Sequence, residues 1–432
     1  MESMTNSNRR SFVAATAAVG TLGVAGCLSS IEEWGGGNGD DDSDTDSNGD
    51  ADDSGDGTTF HYADPADLPG ETINSFDTLD DWVTLLDEGD FEANEEDPYS
   101  GSQSARLTVP EGTEYAGIYR TISGGTDLSD SNLSLAVKFA EQDQLTLTLE
   151  LFAPNSNIVH RLRRTLVGPN DSWTRVDFGT TDVDGNPDLS SVREIRLSAR
   201  RRGSDSGPIE CSIDDLRTAP RPDTGKVMLL FNGTLQSHHE IALEHLSTYD
   251  FAGVEAVIPE AVGNDSNGRL SLSELDELAE AGWDLAARPR TGSQNITDFS
   301  ADEQERIIEQ TAGWLETRGF EDGAGTFITP RNVLGSTTRE LVQEYHDRAL
   351  RYGGSPNALP ISDPYNLGFF SGEAGATTRT YVDHAEAYGQ LAVLHFEEIG
   401  PDGMAETAFA DLLEYIDAAD VDVVTASELS DA

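Results

Sequence analysis

Cysteines, clustered acids and histidines are the residues of this chain whose types could do chemistry, and the most definite of them is Cys27. Small residues lead into it from an apolar run, the pattern at which cleavage makes a cysteine the new N-terminus for lipid attachment. Ahead of that run stand Arg9, Arg10, Ser11 and Phe12. A paired arginine with a phenylalanine two places on reads as a twin-arginine export signal. The run is too short and too rich in Ala and Gly to span a bilayer. The alternative is a plain signal peptide with a chance cysteine. Cys211, the second of two cysteines, then has no intramolecular partner. It alternates within Ile209 to Ile213 as a buried small hydrophobe would. Asp44, Asp46, Asn48 and Gly49 mimic the start of an EF-hand loop. The twelfth position is Gly55 rather than Glu and no helices flank it, so a solvated linker is expected. His346 and His384 fall on polar faces and are expected to be solvated. No Gly-x-Ser-x-Gly elbow and no glycine-rich phosphate loop after a strand is present.

The formal charge is −53, from 80 acidic and 27 basic residues. Lys138 and Lys226 are the only lysines, so arginine carries the positive charge. Such self-repulsion opposes a compact state in dilute salt. Molar salt shortens the screening length to about 3 Å, and the composition reads as that of a halophile. Nucleic acid is excluded as a partner by the same charge.

Positioning elements follow from periodicity. Residues 1–27 are the signal, and 28–59 an acidic tether that self-repels and cannot bury a core. Residues 60–218 alternate with period two. Leu133, Leu135, Val137 and Phe139 form one such run, and Leu145, Leu147, Leu149 and Leu151 another. Antiparallel strands with one solvated face are expected, in a jelly-roll-like β-sandwich. A linker at 219–225 precedes a change of period. In 226–432, strands such as Lys226 to Phe231, Gly253 to Ile258, Ala324 to Thr329 and Leu391 to His395 alternate with helices. Ser237 to Tyr249 suits a helix. Ser271 with Glu274, and Ser300 with Glu303, are capping boxes for two more. This order implies a parallel sheet or a β/α barrel.

Several segments of 226–432 carry a resemblance. Lys226 to Phe231, the run Leu272 to Asp284, Phe327 to Pro330, Leu394-His395 and the closing Val424 to Leu429 resemble successive motifs of the polysaccharide deacetylase family. Its fold is an irregular β/α barrel. The family holds a divalent metal on one Asp and two His, with a neighbouring Asp as base and a late His as acid. What the resemblance implies is then largely missing. The first-strand motif reads Phe231-Asn232-Gly233-Thr234, and the histidine motif Arg288-Pro289-Arg290-Thr291-Gly292. Asn232 cannot accept a proton near neutral pH. Gly233 and Gly292 offer no ligand, and Arg288 has no lone pair to give. Ile328 or Thr329 replaces the Arg of the third motif. His395 alone stands in place, at the acid position.

No metal is expected at that site, and the implied rim gathers Asn232, Arg288, Arg290, Arg331 and His395, cations suited to an acidic glycan. A rebuilt transition-metal site would draw on His238 or His239 with His395 or Asp265. Adjacent histidines on a helix point about 100° apart, so one at most would face the rim. The region 60–218 resembles galactose-binding-like and carbohydrate-binding-module sandwiches, on Trp82, Gly101 to Leu107, Asp171 to Val176 and Ile213 to Arg217. The likeness implies Ca²⁺ on Glu92 and Asp214. Tyr99, Tyr115 and Tyr119 are candidate sugar platforms, and Trp173 is expected in the core. Three readings follow. One is a glycan-binding protein tethered by lipid to the outer face of the membrane, its barrel catalytically inactive, its partner a cell-surface or environmental polysaccharide. The second is a working hydrolase of N-acetyl bonds with relocated ligands. The third is a structural surface lipoprotein.

Overall fold

The computed structural model describes residues 65–431, apart from 86–88, 114, 140–142, 169, 203–206 and 265–267. Arg9, Arg10, Cys27, the EF-hand-like run and Asp265 lie outside the described residues.

Two six-stranded antiparallel sheets form the first half. The first runs Asp90–Asn94, Ser104–Val109, Ile209–Pro220, Ser131–Phe139 and Asn170–Asp177, with Glu71–Asn74 added beside Ile209–Pro220. The second runs Gly179–Asp184, Val159–Val167, Gln144–Phe152, Val192–Arg201, Tyr115–Thr126 and Val83–Thr84. Period two places Leu133, Leu135 and Val137 of one sheet in a shared core with Leu145, Leu147, Leu149 and Leu197 of the other. Each such leucine contributes roughly 1.5–3 kcal/mol by leaving water. Trp173, expected in the core, is buried instead outside it, on the face opposite Val176 and Phe178, where it meets Tyr99 edge-on at 5.8 Å.

The expectation of one solvated face fails for the first sheet. Ser134, Ala136 and Asn132 alternate out of the sandwich core and are nonetheless buried, Ser134 beneath Arg175 of the same sheet and Asn132 against the second half of the chain. Asn132 Nδ2 donates to the carbonyls of Leu359 and Gly389 at 2.7 and 3.2 Å.

That second half is a closed seven-stranded parallel barrel. Its strands are Gly225–Asn232, Val254–Val257, Asp284–Ala287, Thr326–Ile328, Arg348–Tyr352, Leu367–Ser371 and Gln390–Phe396. The last pairs back onto the first. Asn357–Ala358 joins antiparallel to the last strand, and Val421–Val423 runs parallel to the first. Met228, Leu230, Ala286, Leu350 and Val393 fill the interior. Leu229, Phe231, Leu285 and Leu394 face outward to the helices. Both capping boxes form, at Ser271 with Glu274 and at Ser300 with Glu303. Two elements differ from expectation. The helix after the first strand opens with a wide π turn, His238–Ala242, before Leu243–Ser247. Ala324 ends a short helix, Glu321–Ala324, instead of starting a strand. Gly323 there lies on the backbone of Leu285, where a Cβ would come within 2.2 Å of the amide nitrogen.

Sandwich and barrel meet through buried polar contacts. Arg164 donates to Asn357 Oδ1 at 2.7 Å and to the Asn366 carbonyl. Arg351 donates to Asn170 Oδ1 at 3.3 Å and to the Val167 carbonyl at 3.4 Å. Asp363 accepts from Thr174 Oγ1, the Arg175 amide and Arg339 at 2.8–3.0 Å. The placement of one half against the other is therefore tied by directional bonds with buried charge.

Candidate functional site

The mouth at the C-terminal ends of the barrel strands gathers the retained motif positions. Asn232 closes the first strand, and its Oδ1 is buried without a partner. Gly233 follows at φ +118° and Thr234 at φ +57°. A side chain is strained in this region, and the turn is held by Glu255. That carboxylate accepts from the Thr234 amide at 3.0 Å, and Ile258 donates its amide to Thr234 Oγ1 at 2.8 Å. Arg269 donates a guanidinium hydrogen to the Gly233 carbonyl.

His395 sits one layer deeper, level with Leu230. Its ring stacks on Phe369 with centroids 4.6 Å apart, and its Nε2 is buried without a partner. Burial first, then the charge of Arg288, pulls its pKa down to about 3. The imidazole is neutral at working pH and is a poor source of protons there. Arg288 follows the third barrel strand, with its amide bonded to the Val257 carbonyl at 3.0 Å. It is half-buried, and its guanidinium has no hydrogen bond or ion pair to any described residue. Burial lowers its pKa, and Glu397 opposes that at longer range.

Other expected rim residues are not brought in. Arg290 is exposed. Arg331, at φ +52°, turns away to donate to Asn295 Oδ1 at 3.2 Å. Gly292 faces open space. His238 does not reach the mouth either. It lies between the barrel wall and its own helix, fully buried, with Nδ1 2.7 Å from Glu255 Oε2 and Nε2 2.9 Å from the Glu397 carbonyl. Burial opposes its charge, but the oxygens at both nitrogens outweigh that and raise its pKa. His239 faces Glu277 at 2.7 Å. Among the described residues, no three His, Cys, Asp or Glu side chains converge as a metal would require. Asn232, Gly233, Arg288 and Gly292 do not fit the divalent ion that the resemblance implies.

Both histidines expected in solvent are corrected. His346 is buried, with Nδ1 2.7 Å from the Ala324 carbonyl. His384 is half-buried, with Nδ1 3.0 Å from the Thr180 carbonyl. A cleft of about 470 Å³ beside His346 carries Glu316, Glu321, Glu344 and Asp347. Ala324 and Asp347, which also line it, precede barrel strands, so the cleft lies at the end opposite the mouth.

On the sandwich, the proposed calcium pair is not assembled. Glu92 is exposed and stands 3.8 Å from Arg106. Asp214 is fully buried and accepts from the amides of Tyr99, Ser100 and Asp215 at 2.7–3.0 Å, clamping a loop. Burial pushes its pKa up to about 6 despite those bonds. Cys211 is buried and its thiol is pushed up to about 12 by burial alone. Tyr99 is likewise spent in packing, edge-on to Trp173 at 5.8 Å with Arg175 over its ring.

Tyr115 and Tyr119 differ. Ala116 and Ile118 between them point into the core, so both tyrosines stand on the outer face of the second sheet. Arg200 is opposite Tyr115, and Arg196 opposite Tyr119. Arg196 in turn lies over the Phe152 ring at 4.2 Å. Gly117 separates the tyrosines, and Leu85 lies against it so closely that a Cβ would come within 2.6 Å. The face is a strip of rings and guanidinium groups.

Glu255, Arg269 and Phe369 escaped the reading of the sequence. Only Glu255 had a signal: a carboxylate inside the otherwise apolar run Gly253 to Ile258 requires a buried partner.

No protein-family model and no curated protein matches the chain. Solved structures do match. The Xyl-CE4 domain of a multidomain xylanase from the hindgut metagenome of Trinervitermes trinervoides is 17% identical over 48% of this chain and 90% of its own, at TM-score 0.34. The Streptococcus pyogenes deacetylase PplD is 15% identical over 33% of this chain and 62% of its own, at TM-score 0.30. The family 11 carbohydrate-binding module of Clostridium thermocellum is 12% identical over 35% of this chain and 96% of its own, at TM-score 0.28. The chain is thus similar in part to deacetylase domains and in part to carbohydrate-binding modules, the two kinds of structure that its sequence resembles.

Proposed function

We infer that this protein is exported by the twin-arginine route and held on the outer face of the membrane by lipid on Cys27. There it binds polysaccharide, with a barrel that has lost the metal chemistry of the family it resembles. The observation that carries the reading is the outer face of the second sheet. Tyr115 and Tyr119 are four residues apart on one strand, about 13 Å at strand rise, and both face outward, each beside an arginine of one neighbouring strand, of which Arg196 is ion-paired to Glu194. Rings at that spacing suit an extended chain of sugars better than one sugar.

Affinity electrophoresis of the full chain in molar KCl, through gels holding soluble polysaccharides, tests it. The Tyr115→Ala, Tyr119→Ala double variant is expected to lose at least tenfold in affinity, since each truncated ring removes on the order of 1 kcal/mol or more. Equal retardation of variant and parent would overturn the assignment of this face.

Metal content separates this reading from a working hydrolase. The purified full chain is expected to hold no stoichiometric Zn, Co, Mn or Ni. Near-stoichiometric transition metal, lost in His395→Ala, would establish relocated ligands instead.

A further inference from the structure

The barrel mouth holds a cation with nothing to do. Arg288 is one of 27 basic residues among 80 acidic ones, yet among the described residues its guanidinium meets no carboxylate. Glu255 acts on it only weakly, and both its oxygens are committed, one to the Thr234 amide and one to His238. Glu397 acts on Arg288 through its charge alone, with no hydrogen bond between them. Leaving a half-buried cation unpaired is costly. Two further polar atoms at the same mouth are also unmatched, Asn232 Oδ1 and His395 Nε2. The amide and ring orientations there can turn to present hydrogens instead of lone pairs. Arg269, bonded to the Gly233 carbonyl, adds a second positive charge beside the first-strand turn.

We propose that the barrel mouth is an oxyanion site, in which Arg288 receives a carboxylate or sulfate of an acidic sugar, with Asn232 and His395 flanking it. This deepens, and rests on, the polysaccharide-binding reading above. Arg288 follows the third barrel strand, whose end would carry the metal-binding histidines in the resembling family. A guanidinium repels a metal there but presents a planar fork to a carboxylate. The bound sugar would be held rather than cleaved, and no bond is made or broken.

The test is calorimetric titration of the full chain in molar KCl, where bulk attraction is screened. The probes are oligogalacturonate, its carboxyl-reduced neutral counterpart, and a sulfated galactan oligomer. Oligogalacturonate or the sulfated oligomer is expected to bind at least tenfold more tightly than the neutral one, and which of the two prevails identifies the acid. Arg288→Ala should abolish that preference, about tenfold or more for a charged hydrogen-bonded contact, while leaving the neutral affinity unchanged. Arg288→Lys should keep only part of it, because the fork is lost. Saturating the parent protein with the preferred acid should also shift the ring resonances of His395 in NMR, a readout that needs no variant. An acidic preference that survives Arg288→Ala, or an unmoved His395, would overturn the site. If the neutral oligomer binds through the tyrosine face and the acid gains nothing, the mouth proposal fails and the glycan reading stands. If no glycan binds at all, both fall.

Discussion

Asp363→Ala is expected to cost about 3–5 kcal/mol of stability, the range for removing one partner of a buried ion pair. The carboxylate is 4% exposed and joins both halves of the molecule. From the sandwich it receives Thr174 Oγ1 at 2.9 Å and the Arg175 amide at 3.0 Å. From the barrel it receives Arg339 at 2.8 Å and the Tyr365 amide at 3.1 Å. Burial raises its pKa, but Arg339 and those bonds outweigh burial and hold it below the usual carboxylate value. With alanine there, Arg339 is left as a buried cation whose carboxylate is gone. Urea unfolding at constant molar KCl would measure the loss. Asp363→Ala with Arg339→Met should be less destabilised than Asp363→Ala alone, since no orphan charge remains. A loss under about 1 kcal/mol, the size of a surface pair, would mean that this contact does not hold the two halves together.

Acidification from pH 7.5 to 5 should destabilise the fold by roughly 3 kcal/mol net through buried histidines and carboxyls. Burial pulls His160 and His346 down to about 4, and burial with the Arg288 charge pulls His395 to about 3. A histidine whose folded pKa is depressed contributes in full above its unfolded value near 6.5, and that contribution is lost as pH falls below it. Each of the three loses about 2 kcal/mol by pH 5. Two carboxyls act in the opposite sense. Asp177 and Asp214, pushed up to about 6 mainly by burial, bind protons more tightly when folded. Between pH 7.5 and 5 each returns about 1.4 kcal/mol as pH falls. Unfolding midpoints at the two pH values, in the same salt, give the net change. His346→Gln should flatten the dependence by about 2 kcal/mol; an unchanged slope would show that His346 does not titrate with unfolding.

Much of this molecule is legible locally. The alternation of Leu133 to Phe139 and Leu145 to Leu151 announces sandwich strands, because a strand's two faces differ at every residue. Ser271 with Glu274, and Ser300 with Glu303, mark helix starts because every atom of a capping box lies within four residues. Alternation also carries the separation of Tyr115 and Tyr119 from the core. The identities of Gly233, Arg288 and Gly292 already lead one to expect the family's metal to be missing, since those side chains supply none of the ligands it would need.

Contacts distant in sequence were decided by the tertiary structure. Nothing in Ser134, Ala136 or Asn132 says that a barrel will cover the sheet they face. His346 looks polar on its helix and is buried because the Ala324 carbonyl meets it from another element. Tyr99 resembles Tyr115 in the sequence, yet Trp173 and Arg175 consume it. His238 is engaged by Glu255 across the helix–strand packing, and Arg288 meets no carboxylate among the described residues. Periodicity and caps are written in neighbouring residues, whereas burial and pairing depend on which surfaces the chain closure brings together.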